Sequence, residues 1–128
     1  MAREYAYGSV SPIGDTDPMD MPVADVEKAI AWYESRMGFH LVSRRDGPAP
    51  SAVVERDGVQ LGFAVNGGDP EQASCYLGVS DVQAAMADME AKGVGVANHR
   101  IDEHGGEKRE VFFVRDEDGI CYCIGQRV

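Results

Sequence analysis

The chain has 128 residues, 44% hydrophobic and 27% charged, a globular composition that excludes a disordered chain. It sets 12 Lys+Arg against 22 Asp+Glu, a formal net charge of -10 with a pI of about 4.6. Such a surface repels phosphate backbones, which argues against general nucleic-acid binding, and favours a cationic partner.

No apolar run approaches the roughly 18 uncharged residues of a membrane span. Residues 1–10 carry Arg3 and Glu4 and hold no long apolar block, so a signal peptide is not expected. Cys75, Cys121 and Cys123 make an odd count, which reads as reduced and cytoplasmic. Cys121 and Cys123 lie two apart, on one face of any strand, where a bridge between them would be strained.

In chain order, a short apolar strand at residues 19–23 leads into a helix. Asp25 is placed to cap it, and Val26, Ala29, Ile30, Tyr33 and Met37 form its apolar stripe. Gly38 stands where a left-handed residue would end it. Strand-like runs follow at residues 39–44, 51–56 and 59–65, with Asp57-Gly58 as a hairpin signal between the last two. Residues 66–72, with Gly67, Gly68 and Pro70, read as a linker.

The pattern then repeats. A strand at 75–79 precedes a helix capped by Asp81, with Val82, Ala85, Met86 and Met89 on one face and Gly93 at its end. Strands are expected at 94–100, 110–115 and 120–125, the last two joined by the turn Asp116-Glu117-Asp118-Gly119. His104-Gly105-Gly106 reads as a loop. Segments 23–34 and 79–90 align without gaps at an offset of 56, with six of twelve positions identical, among them Asp25/Asp81 and Ala29/Ala85. A repeat of this kind sets the architecture. The expected fold is therefore α+β in a single domain. Two paired β-α-β-β-β modules, about 18–65 and 73–126, form a curved mixed sheet with helices on its outer face and a concave pocket inside. The halves pair within one chain or swap between chains.

Paired units of this order, with Val23-Ala24-Asp25-Val26, Ala31-Trp32-Tyr33 and Met37-Gly38-Phe39, ending in Val114-Arg115-Asp116-Glu117-Asp118-Gly119-Ile120, resemble the vicinal-oxygen-chelate superfamily. This is the fold of glyoxalases, bleomycin-resistance proteins and extradiol dioxygenases. Arg56-Asp57-Gly58-Val59-Gln60-Leu61 and Arg109-Glu110 make the bleomycin-resistance type the nearest likeness. In metal enzymes of this superfamily, four strands each give one His, Glu or Gln to a divalent ion. Carried over, those positions fall near Pro18 and at Gln60, Ser74 and Cys123. Proline has no ligating side chain, serine is a poor ligand, and Gln with Cys makes no hard oxygen/nitrogen site. A register shift near Pro18 brings in Asp17 or Asp20 without repairing Ser74 and Cys123. The resemblance thus implies a protein with no metal and no cofactor, sequestering a small molecule in clefts of a homodimer, not a nucleic acid or a membrane. Bleomycin-like drugs are cationic, which the charge of -10 accommodates. The alternative is a metal-dependent lyase, isomerase or dioxygenase with non-standard ligands.

Strand alternation nominates the ligand-binding set on the concave wall: Asp20, Gln60, Ser74, Tyr76, Cys121 and Cys123. Leu61, Phe63, Tyr122 and Ile124 then face the helices. Of the adjacent Phe112 and Phe113, one faces each side of the sheet, and Phe112 is assigned to the pocket. Trp32 and Tyr33, at helical spacing, read as core. Cys123 reads as apolar filler rather than a reactive thiol. His99 and His104 read as solvated loop residues, and Asp15, Asp17 and Asp20 as surface.

Overall fold

The computed structural model describes residues 4–128. Met1, Ala2 and Arg3, part of the segment read as lacking a signal, lie outside the described residues. The elements are β1 (Tyr7–Pro12), β2 (Met21–Pro22), α1 (Val26–Trp32), β3 (His40–Arg45), β4 (Ser51–Arg56), β5 (Val59–Ala64), β6 (Ser74–Val79), α2 (Val82–Ala91), β7 (Ala97–His104), β8 (Glu107–Arg115) and β9 (Cys121–Arg127). Among the described residues no helix is long and apolar enough to cross a membrane.

The repeat in sequence is a repeat in topology. One sheet has strand order β2-β5-β4-β3 and the other β6-β9-β8-β7, with β1 added antiparallel at the β6 edge. In each half the strand before the helix pairs in parallel with the last strand of its module. Asp25 and Asp81 both take extended backbone and accept from the N–H three residues on, Lys28 and Ala84. That satisfies one otherwise unpaired donor at each helix start. The fold is mixed α+β, with the curved sheet divided into a four- and a five-stranded part.

One strand has no forecast counterpart. Residues 7–12 pair with Val79, Gly78, Leu77, Tyr76 and Cys75 and cover the β6 edge. The N–H of Tyr7 donates to Asp57 Oδ2 at 3.0 Å, and the Arg56 guanidinium lies 4.6 and 5.0 Å from the ring centres of Tyr5 and Tyr7. Conversely, the strand expected at 19–23 shrinks to Met21 and Pro22, because a turn closed by Asp20 N–H on the Asp17 carbonyl at 3.0 Å takes up its start. The loop expected at His104 is the last residue of β7, so β7 and β8 form a longer hairpin than the glycines suggested. Asp57 and Gly58 both take positive φ, as a tight two-residue hairpin demands.

Side chains from both modules meet in a single cluster. Val26, Ala29, Ile30 and Tyr33 join Val54, Leu61 and Phe63 from the first half, and Leu77, Ala85, Met89, Phe112, Tyr122 and Ile124 from the second. Past Trp32 the helix widens over Tyr33–Met37, which swings Tyr33 into the centre. Its ring lies 5.0 Å from Phe63 and 6.0 Å from Tyr122.

Asp116, buried, ties the halves together. Its Oδ1 accepts from the backbone N–H groups of Asp118, Gly119 and Ile120 at 3.0, 2.9 and 2.9 Å. Its Oδ2 accepts from Tyr33 O–H at 2.6 Å, and the Tyr33 and Tyr122 hydroxyls bond each other. Burial pushes the carboxyl upward, against the hydrogen bonds from Tyr33 and the turn, which stabilise the carboxylate. Truncating Asp116→Ala strands four donors and is expected to cost about 2–3 kcal/mol in urea unfolding, against about 1 kcal/mol for Asp116→Asn. A raised folded pKa means that ionisation is opposed by the fold, so the wild type gives up stability as pH rises above about 4. Its advantage over the Asn variant should narrow over that interval.

Candidate functional site

β6, β9, β8 and β7 turn one face to the core and the other to a hollow. On β6, Cys75, Leu77 and Val79 go inward to the core while Ser74, Tyr76 and Gly78 face the hollow. Register carries the alternation across the sheet. Tyr76 stands opposite Cys123, Cys123 opposite Phe113, and Val111 opposite Arg100. The result is a cavity of about 300 Å³ walled by Tyr76, Asp102, His104, Glu107, Arg109, Val111 and Cys123. Further along the same face a hollow of about 490 Å³ is lined by Phe113, Arg115 and Cys121 among others.

Charged groups in this wall are arranged around rings. The Arg109 guanidinium carbon lies 5.1 Å from the centre of the Tyr76 ring, and that of Arg100 lies 4.9 Å from the Phe113 ring. Arg100 Nε also donates to Asp102 Oδ1 at 2.8 Å. Glu107 accepts from Arg127 at 3.0 Å and meets Arg109 at 3.5 Å. Partial burial raises the Tyr76 phenol, against the pull of Arg109, so it faces the cavity as a neutral O–H. Burial, with Asp102 adding, pushes the Cys123 thiol up to about 11.

Of the seven nominated residues, the structure brings Tyr76 and Cys123 together in the cavity wall. Ser74 shares their face two positions along β6, opposite Cys121, and its N–H donates to Thr16 Oγ1 at 2.9 Å. Gln60 lies on the other sheet, where its amide donates to Glu55 at 3.0 Å. Asp20 is a correction: it does not join the wall. Its carbonyl and carboxylate accept from Asn66 at 3.1 and 3.2 Å, and it lines a separate acidic hollow beside Asp15 and Asp17. Phe112 is a second correction. It pairs with Ile124 and is fully buried in the core, because the face it occupies is set by Val114 and Tyr122 beside it. Phe113 is the ring on the hollow side. His99 and His104 sit on opposite faces of β7, not in a loop. His99 pairs with Glu110 at 2.6 Å, and His104 lines the cavity.

Arg109, Arg100, Asp102, Glu107 and Val111 were not nominated. Alternation outward from Phe113 points to Val111 and Arg115 within the expected strand 110–115, and to Arg109 just before it, because β8 begins at Glu107.

The four positions that the resemblance assigns to a metal do not fit one here. Pro18 offers its carbonyl, which already accepts from Gly62 N–H at 2.8 Å. Gln60 is held by Glu55, and Cys123 stays a protonated thiol at neutral pH. Among the described residues no group of three or more His, Cys, Asp or Glu is placed to hold an ion.

The halves differ at this level. Met21 opposes Phe63 in the first module and Leu77 opposes Ile124 in the second, so Gly62 is the counterpart of Cys123. A Cβ on Gly62 would lie 2.3 Å from the Met19 carbonyl oxygen. The chain's own backbone therefore covers that position in the four-stranded sheet, and the open hollow belongs to the five-stranded one.

A profile of the Glyoxalase/Bleomycin resistance protein/Dioxygenase superfamily matches residues 16–124, and the chain belongs to that family. Its fold is similar to that of TnmS3, described as an antibiotic binding protein, from Streptomyces sp. CB03234. That pair has 22% identity and a TM-score of 0.69, covering 91% of this chain and 98% of that one. A glyoxalase/bleomycin resistance protein/dioxygenase from Alicyclobacillus acidocaldarius is 16% identical, covers 88% and 91%, and has a TM-score of 0.69. A protein from the mobile metagenome of V. Pseudocholerae is 20% identical, covers 89% and 95%, and has a TM-score of 0.70. No curated protein matches the chain.

At pH 8 a thiol with a pKa near 11 is about one part in a thousand thiolate. Iodoacetamide should therefore label Cys123 on the order of 100-fold more slowly than free cysteine. Site-resolved mass spectrometry checks this, and labelling at the rate of free cysteine would contradict the environment described.

Proposed function

We propose that this chain is a metal-free small-molecule-binding protein of the glyoxalase/bleomycin-resistance type, sequestering an antibiotic-like ligand in concave clefts of a homodimer. One observation carries the reading: the second module keeps an open hollow whose wall offers an arginine-backed ring and paired charges, with no convergent metal ligands among the described residues. A cavity of about 300 Å³ suits a small ligand or part of a larger one. Antibiotic binding by a protein of the same fold supports the ligand class.

Dimerisation is supported by β3 and β7, the outermost strands, which are exposed along their whole length. They present Leu41, Val42 and Ile101, 40%, 47% and 62% exposed. Edge strands left this open are templates for another chain, and β7 also supplies Asp102 and His104 to the cavity wall. Three free cysteines support a reducing, cytoplasmic setting.

Purified protein should contain well under one divalent ion per chain, and chelation should leave its thermal midpoint unchanged. Light scattering should return twice the chain mass of 13.9 kDa. Calorimetry against antibiotics of different charge should find one that binds without being converted. A tightly held ion lost together with a turnover activity would end this reading in favour of an enzyme.

A further inference from the structure

We propose that the cleft selects a flat conjugated molecule bearing an acidic group, a carboxylate or phenolate, with Arg109 as the residue that receives it. The inference rests on the cleft being a ligand site and adds the chemical class of the ligand. It reverses the expectation drawn from net charge.

The acidic excess of this protein lies elsewhere. On the hollow-facing side of β7, β8 and β9 the register places Arg100, Arg109, Arg115 and Arg127 against Asp102 and Glu107. Thus four of the 12 basic residues but two of the 22 acidic ones stand on this face. Both carboxylates are already engaged. Asp102 is held by Arg100 at 2.8 Å and Glu107 by Arg127 at 3.0 Å. A cationic ligand would have to displace an arginine from either one.

Arg109 is the arginine that borders the cavity itself. Its guanidinium has five N–H donors, and its hydrogen bond to Glu107 is a long one at 3.5 Å. Arg115, by comparison, is committed to the Gly119 carbonyl at 2.6 Å. The guanidinium of Arg109 is backed by the Tyr76 ring and borders the cavity beside Val111 and Cys123. A planar fork held against a ring can stack on a flat ligand and receive a carboxylate through two parallel hydrogen bonds. The neutral Tyr76 O–H is a further donor at the same wall. Apolar Val111 and the protonated thiol of Cys123 suit the ligand's ring, not a metal or a second charge.

Calorimetric titration with naphthoate, naphthamide and naphthylmethylamine separates charge from shape, since all three share one ring system. Naphthoate should bind about tenfold or more tightly than the amide, and the amine weakest. Arg109→Gln should bring naphthoate down to the amide's affinity and weaken the amide far less, by the lost stacking alone; the half-exposed Arg109 side chain makes this a mild change to the fold. Tyr76→Ala should weaken all three. Equal binding of the three, a preference for the amine, or an acid preference that survives Arg109→Gln would overturn the inference and leave the cleft a ligand site. No heat from any of the three at millimolar concentration would overturn both.

Discussion

Everything that faces the cleft depends on which way β9 presents its side chains, and Asp116 holds the turn that sets this. Its carboxylate collects three backbone N–H groups of the turn before β9 and one hydroxyl from the opposite module. A slip of one residue in that turn would exchange Tyr122 and Ile124 for Cys121 and Cys123, sending two thiols into the core and two large side chains into the hollow. The same contact brings Tyr33 of the first half against Tyr122 of the second. One buried acid thus fixes the register of a strand and the docking of two modules. Burial and hydrogen bonding pull its proton affinity in opposite directions.

The two halves share a topology and have taken different parts. In the first, the residues before β2 fold back over β5 so closely that Gly62 has no room for a side chain. In the second, the matching position carries Cys123 and opens onto solvent-accessible space. The backbone around Met19 covers the Gly62 position, whereas the Cys123 position lines a cavity. The first sheet then serves as the support on which Tyr33, Phe63 and Leu61 pack.

Global and local electrostatics disagree in this molecule. A charge of -10 describes the field at a distance, where acidic loops and helix surfaces dominate. On the hollow-facing side Arg109 lies against Tyr76 and Arg100 against Phe113, and Asp102 and Glu107 beside them are already paired to arginines. Guanidinium groups within contact range outweigh distant carboxylates, whose field water and salt screen. That is why composition suggested a cation and the wall suggests an acid.

The sequence by itself determined the periodicities, and so the modules. The repeat at an offset of 56, the two capping aspartates, the hairpin at Asp57-Gly58 and the core faces of β5 and β9 are local or pairwise properties of the chain. They also placed Tyr76 and Cys123 on one face, because alternation along a strand is a backbone rule. What alternation cannot say is which parity meets the core when two adjacent residues are alike, and Phe112 against Phe113 was decided only by the register with β9. β1 was invisible because its partner lies about 70 residues away and its own pattern is short and interrupted by Gly8 and Pro12. Asp20 and Gln60 left the expected wall because the fold-back of residues 17–20 and the separation of the two sheets are tertiary facts. Arg109 and Arg127 belong to stretches of β8 and β9 beyond the expected strands, whose length was set by cross-strand pairing, an interaction that no single stretch of sequence carries.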